Sequence, residues 1–534
     1  MMHIKKNLSY FIAIFIGLNF ILFQFYFLFH YLDIDVANYY TQILKKDFFH
    51  PHHLLYNFLG YIWLTINDNL NINSFLLLKI MNIIFGGVAS FFLYILFFNE
   101  SKKYILSLLF VFYIILSFDY IFYSQINDTA FMPLFWNIVF ITYFFKIKNL
   151  RFTDLLFLSL LHTISIGFHQ TNLFLIFPSI VKILTSNQKN KIRYLLFYLF
   201  FTFFFIAILY VIIGHYILGY SFEDNIKKPI PGIPTGGNFY DWVFMYGHWD
   251  KELNWGTLER KNLLLDSLYT FSNALFFHKI YYIKISIEAY NNFLVNQSAL
   301  MTLEQFLFIT FILLLLSHII FSFYFTKKNS NILGIFLWFI FQSLLIMWWE
   351  PTNKEFWLTP LFCFILIQFL NFKEFLELIK AKWIYSIIYY IINYLLFLWI
   401  FLIFVNNYKN FLKPSQYKTF FGHWEDLYDY EYFKNIMNTD LKLTFELKQN
   451  KETLLKQKLN QLDELRKKLS KKENEIYFKY YIKQFENILI SMEKMMYDDN
   501  NENLITKEEI QNLKQELELI KNHYDDWLTH YKSH

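Results

Sequence analysis

The sequence has one cysteine in 534 residues. That excludes an internal disulfide and any cysteine-cluster metal site. Cys363 falls inside an apolar run and reads as an inert small hydrophobe. Charge is also scarce. Only 17% of the residues are charged, against about a quarter in soluble domains. The net charge of +5 is small for this length, so no nucleic-acid partner is expected. No repeat of about 20–50 residues marks a solenoid, and no pair of apolar runs is visibly broken by Gly or Pro. What is abundant is apolar: 56% of the chain is hydrophobic, with 68 Phe and 40 Tyr. Lys, Asn and Ile are common as well, a bias towards A- and T-rich codons that leaves any single Phe or Asn uninformative.

A bilayer-crossing helix needs about 20 apolar residues, and about eleven runs approach that length. They lie near 8–31, 75–97, 104–122, 130–146, 154–168, 171–185, 194–220, 303–326, 332–349, 356–371 and 383–405. The first is too long for the apolar core of a signal peptide, and no small-x-small cleavage site follows it. With Lys5 and Lys6 in the cytoplasm, alternate loops carry Lys102 and Lys103, then Lys146, Lys148 and Arg151, then Lys189, Lys191 and Arg193. Lys327 and Lys328 follow, then Lys373, Lys380 and Lys382. Every short basic loop thus falls on the cytoplasmic side. The expected fold is an all-α, polytopic transmembrane helical bundle of about eleven spans over residues 1–405, with outer loops 32–74, 221–302 and 348–356. Its N-terminus is expected in the cytoplasm and its tail outside, in a bacterial inner membrane.

Residues 406–534 are polar and rich in Lys, Glu, Leu and Asn. Leu455, Leu459, Leu462 and Leu469 follow a heptad, as do Ile510, Leu513, Leu517, Ile520, Tyr524, Trp527 and Tyr531. The break DDNNEN (498–503), then Thr506 and Glu509 as a capping box, predict a helical hairpin or coiled coil serving as spacer or self-association element.

Polar residues collect at the outer ends of the runs rather than in their middles. Asp119 is the main carboxylate inside a run. A transport path tends to carry such groups at mid-membrane, so this distribution favours chemistry at the outer face. The first outer loop reads YLDIDVANYYTQILKKDFFHPHHLLYNFLG (31–60). A carboxylate beyond the first span, a Tyr pair and then HPHH resemble the polyprenyl-phosphate-dependent membrane glycosyltransferases of the GT-C superfamily. In that group an essential first-loop acid commonly precedes a Tyr by about four residues, and Asp35 with Tyr39 matches; Asp33 is the alternative. LLLKIMNIIFGGVASFFLYIL (76–96) is similar to the second span of such enzymes. FHQTNLFLIFP (168–178) is similar to the His-Gln turn of bacterial members, and YSQIND (123–128) lies where a short polar or acidic outer turn is common. WWEPTNKEFW (348–357) partly matches the His-Lys-Glu-x-Arg-Phe motif of protein mannosyltransferases that use dolichyl-phosphate mannose. It keeps Lys354-Glu355 and lacks the His and the Arg, a departure that bears on the donor sugar. The resemblance covers residues 1 to about 405.

The resemblance implies transfer of a sugar from a polyprenyl-phosphate donor to a lipid or glycan acceptor hydroxyl, with inversion at the anomeric carbon. Asp35 would be the general base, a role worth about 10²–10⁴-fold in rate. Lys354 is the first candidate for the leaving phosphate. His52, His53, Tyr39, His169 and Gln170 are further candidates for donor phosphate or sugar. Trp242, His248 and Trp249, in the long loop, are candidates for the acceptor. Alternative readings remain beside these: His50, His52 and His53 as an interfacial loop touching lipid headgroups, His169 and Gln170 as a tight-turn cap, Lys354 as an interfacial anchor. No metal ligands are assigned. Adjacent histidines lack the spacing of helical zinc motifs, and dependence on a divalent metal stays open, with no cofactor expected for certain. The competing functions are a glycolipid flippase or transporter, a lipid-linked glycan polymerase or ligase, and a scaffold that displays the tail.

Overall fold

In the computed structural model, the described residues are 2–26, 39–40, 42–43, 46, 48–66, 74–126, 128–222, 239–244, 263–276, 303–349, 353–380 and 384–411, with Gln511 and Gln515. The chain divides into two compact units, Met1–Gln416 and Tyr417–His534. The heptads and hairpin expected in the tail lie outside the described residues.

Within the described residues the apolar runs are helical, as must happen where backbone groups leave water and can pair only with one another. In chain order these are α1 (Met2–Tyr26), α2 (Tyr56–Leu64), α3 (Ser74–Ser101), α4 (Tyr104–Ile115), α5 (Phe118–Tyr123), α6 (Phe131–Lys146) and α7 (Phe152–Phe168). A 3₁₀ turn (Gln170–Leu175) leads into α8 (Ile176–Thr185), and α9 (Lys191–Val211) continues into a π-helical turn (Ile212–Ile217). Then follow α10 (Phe239–Phe244), α11 (Leu263–Leu275), α12 (Leu303–Phe325), α13 (Ser330–Trp349), α14 (Lys354–Ile379) and α15 (Tyr385–Phe411). The described residues contain no β-strand.

Among the described residues six helices are long and apolar enough to cross a membrane: Asn7–Tyr26, Leu76–Ser101, Lys191–Ile217, Phe306–Phe325, Ser330–Trp349 and Tyr385–Tyr408. The expected count of about eleven is not reached by length. The runs at 104–122, 130–146, 154–168 and 171–185 form shorter apolar helices. The first of these is broken rather than continuous. Ser117 is extended (φ −64°, ψ 151°), so α4 ends and α5 restarts without any Gly or Pro. The Ser117 hydroxyl donates to the Ile114 carbonyl (2.6 Å), satisfying one acceptor that the break releases.

Packing separates the lipid-facing helices from the core. On α1, Phe11, Ile14, Phe15, Leu18, Leu22 and Phe25 are exposed, while Ala13, Ile16 and Phe20 are buried. That is one helical face against the other, and the outward one suits lipid. The inward face packs on α3 through glycines. A Cβ on Gly17 would stand 2.7 Å from the Gly87 carbonyl oxygen, and one on Gly87 would stand 2.8 Å from the Gly17 oxygen. Only glycine lets the two backbones approach this closely. By contrast α14 is enclosed, with every residue from Trp357 to Asn371 buried.

The loops sort to two ends. At one end Lys373 pairs with Glu100 (2.7 Å), Asn329 donates to Glu374 (2.8 Å), Gln188 to the Leu150 carbonyl (3.0 Å) and Thr185 to Ser330 (2.8 Å). This is the end carrying the basic loops. The other end gathers HPHH, the YSQIND turn, the His-Gln turn and the α13–α14 corner.

Candidate active site

The HPHH turn is fixed to its surroundings by backbone groups. His53 N–H donates to the His50 carbonyl (2.9 Å), closing the turn around Pro51. Leu55 N–H donates to the Gly167 carbonyl at the end of α7 (3.0 Å). The Tyr210 hydroxyl donates to the Pro51 carbonyl (2.9 Å). Tyr210 in turn accepts from Gln170 (3.0 Å), whose amide also donates to the Val243 carbonyl (3.1 Å). Gln170 is therefore a tie between the His-Gln turn, α9 and α10.

These ties bring four histidines together. Ring centroids stand 5.6 Å apart for His50 and His52, 5.8 Å for His50 and His53, and 6.1 Å for His52 and His53. His169 joins them across the bundle, 4.9 Å from His53 and 6.4 Å from His52. Burial, and secondarily His50, push the His169 imidazole down to about 4. Burial, then His169, His50 and His52, push His53 well below its ordinary range. Both rings are neutral at pH 7, because a charge there would be desolvated and would face its neighbours' charges.

The α13–α14 corner closes one side. Trp349 and Phe356 stack at 4.9 Å; Phe356 lies 5.7 Å from His169 and Trp349 5.5 Å from His52. Asn353 caps α14 by accepting from Glu355 N–H (3.2 Å). Lys354, on the first turn, is turned inward rather than snorkelling: it is 9% exposed, with Nζ 5.3 Å from the Phe118 ring centroid. It couples electrostatically with Asp119 of α5, which is fully buried. Both Asp119 carboxylate oxygens lack a hydrogen-bond partner among the described residues.

On the opposite side Tyr39 stands edge-on to His53 (5.7 Å) and to Tyr56 (5.8 Å). Thr129 links it to the YSQIND turn, with its hydroxyl within 3.4 Å of the Tyr39 hydroxyl and 3.4 Å of Asp128 Oδ1. Asp128 is 2% exposed. Tyr39, His52, His53 and His169 thus converge, with Gln170 bracing the turn from behind and Lys354 on the adjoining corner. Asp33, Asp35, His248 and Trp249 lie outside the described residues, and for Trp242 the backbone of α10 alone is described. Among the described residues no three His, Cys, Asp or Glu side chains are placed to hold a metal ion.

Sequence reading missed three participants as individuals. Trp349 and Phe356 looked like two more rings in an aromatic-rich chain. Asp128 was visible only as the acid of a polar turn. For Asp119 the signal was present, a carboxylate inside an apolar run, which by energetic cost alone points to a function.

No protein-family model matches the chain, and no curated protein matches it. Among solved structures the chain is similar to the oligosaccharyltransferase of Archaeoglobus fulgidus in its apo form, with a TM-score of 0.44 and 14% identity. The match covers 76% of this chain and 55% of that one, so this chain spans about half the length of that solved structure. A likeness of that degree assigns no activity. The described chain is an all-helical, multi-pass membrane protein whose polar loops meet at one end.

Proposed function

We propose that the chain is a GT-C-type membrane glycosyltransferase that moves a sugar from a polyprenyl-phosphate donor to a lipid or glycan hydroxyl. The supporting observation is the convergence of Tyr39, the HPHH turn, Asp128, the His-Gln turn and the Trp349–Phe356 corner at the end of the bundle away from the basic loops. A transferase that acts where a lipid headgroup meets protein needs this mixture: rings for the sugar, polar groups for its hydroxyls and a cation for phosphate.

In this reading Asp35, four residues before Tyr39, takes the proton of the acceptor hydroxyl as its oxygen attacks the anomeric carbon; Asp33 is the alternative. The new carbon–oxygen bond forms as the bond to phosphate breaks, inverting the centre. The polyprenyl phosphate leaves with both bonding electrons. Its developing charge is met by Lys354, whose ammonium sits in a low-dielectric corner where it acts strongly. Trp242, His248 and Trp249 are assigned to the acceptor side. The site end is extracytoplasmic, in a bacterial inner membrane, and the tail serves spacing or self-association.

Washed membranes carrying the chain, given a panel of radiolabelled polyprenyl-phosphate monosaccharides, test this. One donor is expected to label a membrane-retained product, and D35N to lose at least about 100-fold of that transfer. Transfer by none of the donors would remove the reading.

A further inference from the structure

We propose that His53 and His169 together recognise one sugar hydroxyl, held against the Trp349–Phe356 ring pair, and do not form a phosphate cradle. This rests on the transferase reading above and narrows it.

Each ring has one nitrogen occupied and one left over, and the two leftovers have opposite polarity. In His169, Nδ1 accepts from the Thr171 N–H (3.2 Å) and faces the Thr171 hydroxyl (2.7 Å). A nitrogen that accepts a backbone N–H carries no proton, so the proton sits on Nε2. His169 Nε2 is buried and has no hydrogen-bond partner: it is an unpaired donor. In His53 the ring hydrogen-bonds the Phe168 carbonyl, an acceptor only. Nδ1 is the buried nitrogen without a partner, so Nε2 carries the proton to Phe168 and Nδ1 is an unpaired acceptor. The residue as a whole is partly exposed, yet this atom is shut away.

A donor and an acceptor on rings 4.9 Å apart match a group that does both. A hydroxyl donates one proton and accepts through its lone pairs. A phosphodiester, the linkage of a polyprenyl-phosphate sugar, only accepts, so it would meet the His53 Nδ1 lone pair unless that ring took a proton. Burial and three neighbouring histidines oppose that protonation. Buried polar atoms are seldom left unpaired in a native protein, and their usual explanation is a ligand or water that pairs them. Beside the pair, Phe356 lies 5.7 Å and Trp349 6.5 Å from the His169 ring. Such rings offer a flat apolar face to the C–H side of a pyranose. The same polarity argument predicts selectivity, because a site built to bond a hydroxyl discriminates against the analogue that lacks it.

The side-chain amides give a test that a merely structural role would not pass. In H169N the amide oxygen can replace Nδ1 as the acceptor for Thr171 while the Nε2 donor is lost; in H169Q a donor remains at the Nε2 position. In H53Q a donor to Phe168 remains while the Nδ1 acceptor is lost; in H53N an acceptor remains at Nδ1. The full chain in nanodiscs, labelled with ¹⁵N-histidine, is titrated at pH 7.5 with methyl glucoside, galactoside or mannoside, and separately with dimethyl phosphate, an acceptor-only diester. We expect one methyl pyranoside to move the imidazole resonances of both His53 and His169, and phosphate to move neither. H169N and H53Q weaken that pyranoside about tenfold, H169Q and H53N only a few-fold. Response to phosphate alone, response to no probe, or equal loss in the Asn and Gln variants overturns the proposal. If membranes still transfer sugar while no pyranoside moves the two rings, only the hydroxyl site fails. If wild-type membranes transfer nothing, the reading beneath it fails as well.

Discussion

Acidification should loosen the histidine cluster by an amount that the His169 environment sets. Burial holds this imidazole at about 4 against an ordinary value of 6.5. The opened chain therefore binds a proton between those values that the closed site refuses. The contribution is fully present above pH 6.5 and is lost as pH falls through 4. At pH 4.5 the loss from His169 alone is roughly 2.5 kcal/mol, from a proton-binding difference of that span. His53 acts in the same direction. Thermal unfolding in nanodiscs, followed by tryptophan fluorescence between pH 7.5 and 4.5, reads the effect. Glutamine does not titrate, so the comparison is with H169Q. The variant carries a constant offset from lost packing, and the other titrating groups are shared, with His53 alone losing one of the neighbours that lower it. Wild type should lose stability faster on acidification, and the gap between the two should shrink by roughly 2.5 kcal/mol from pH 7.5 to 4.5. Parallel pH profiles would refute a buried neutral His169.

Three other substitutions probe separate parts of the account. Gly17→Val places carbon where the Gly87 carbonyl stands 2.7 Å away; overpacking of this kind costs about 1–3 kcal/mol, seen as a lower unfolding temperature, and an unchanged temperature would mean that α1 and α3 do not meet there. Asp119→Leu and Lys354→Met each remove one member of an electrostatically coupled buried pair, so the double variant should lose less stability than the sum of the two single variants; strict additivity would show that the two are uncoupled. Trp349→Ala removes the ring stacked on Phe356 and should cut sugar transfer at least about tenfold, with stability changed by no more than about 3 kcal/mol; full activity would take the ring pair out of the site.

The apolar runs could be read from the sequence because a long stretch without charge has little choice but to be helical in lipid. Basic residues at alternate loops foretold which loops would meet, and Lys373 with Glu100 lies at the basic end as expected. The break at Ser117 was hidden because serine in an apolar run carries weak conformational preference; its extended backbone depends on the tertiary setting of α5. The number of spans is less legible than their helicity. A run such as 130–146 forms α6, a shorter apolar helix largely buried in the bundle, and composition alone does not tell protein from lipid. Within the site, HPHH and the His-Gln turn could be singled out by residue type, but their 4.9 Å approach needed the Leu55–Gly167 tie, a backbone bond that no side chain announces. Lys354 was legible as a cation and illegible as an inward one, since the groups it faces, Phe118 and Asp119, lie more than 200 positions away in the chain.

The central claim is tested most directly by mass spectrometry of surface glycans and glycolipids from a strain lacking the gene, complemented at matched membrane levels with wild type or with D35N. The account predicts that the deletion and the D35N strain lose the same sugar residue, and that the missing mass identifies what the donor carries. A wild-type glycan profile in the D35N strain would contradict Asp35 as the base, and if D33N also restored it, transport or scaffolding would explain the chain better than transfer.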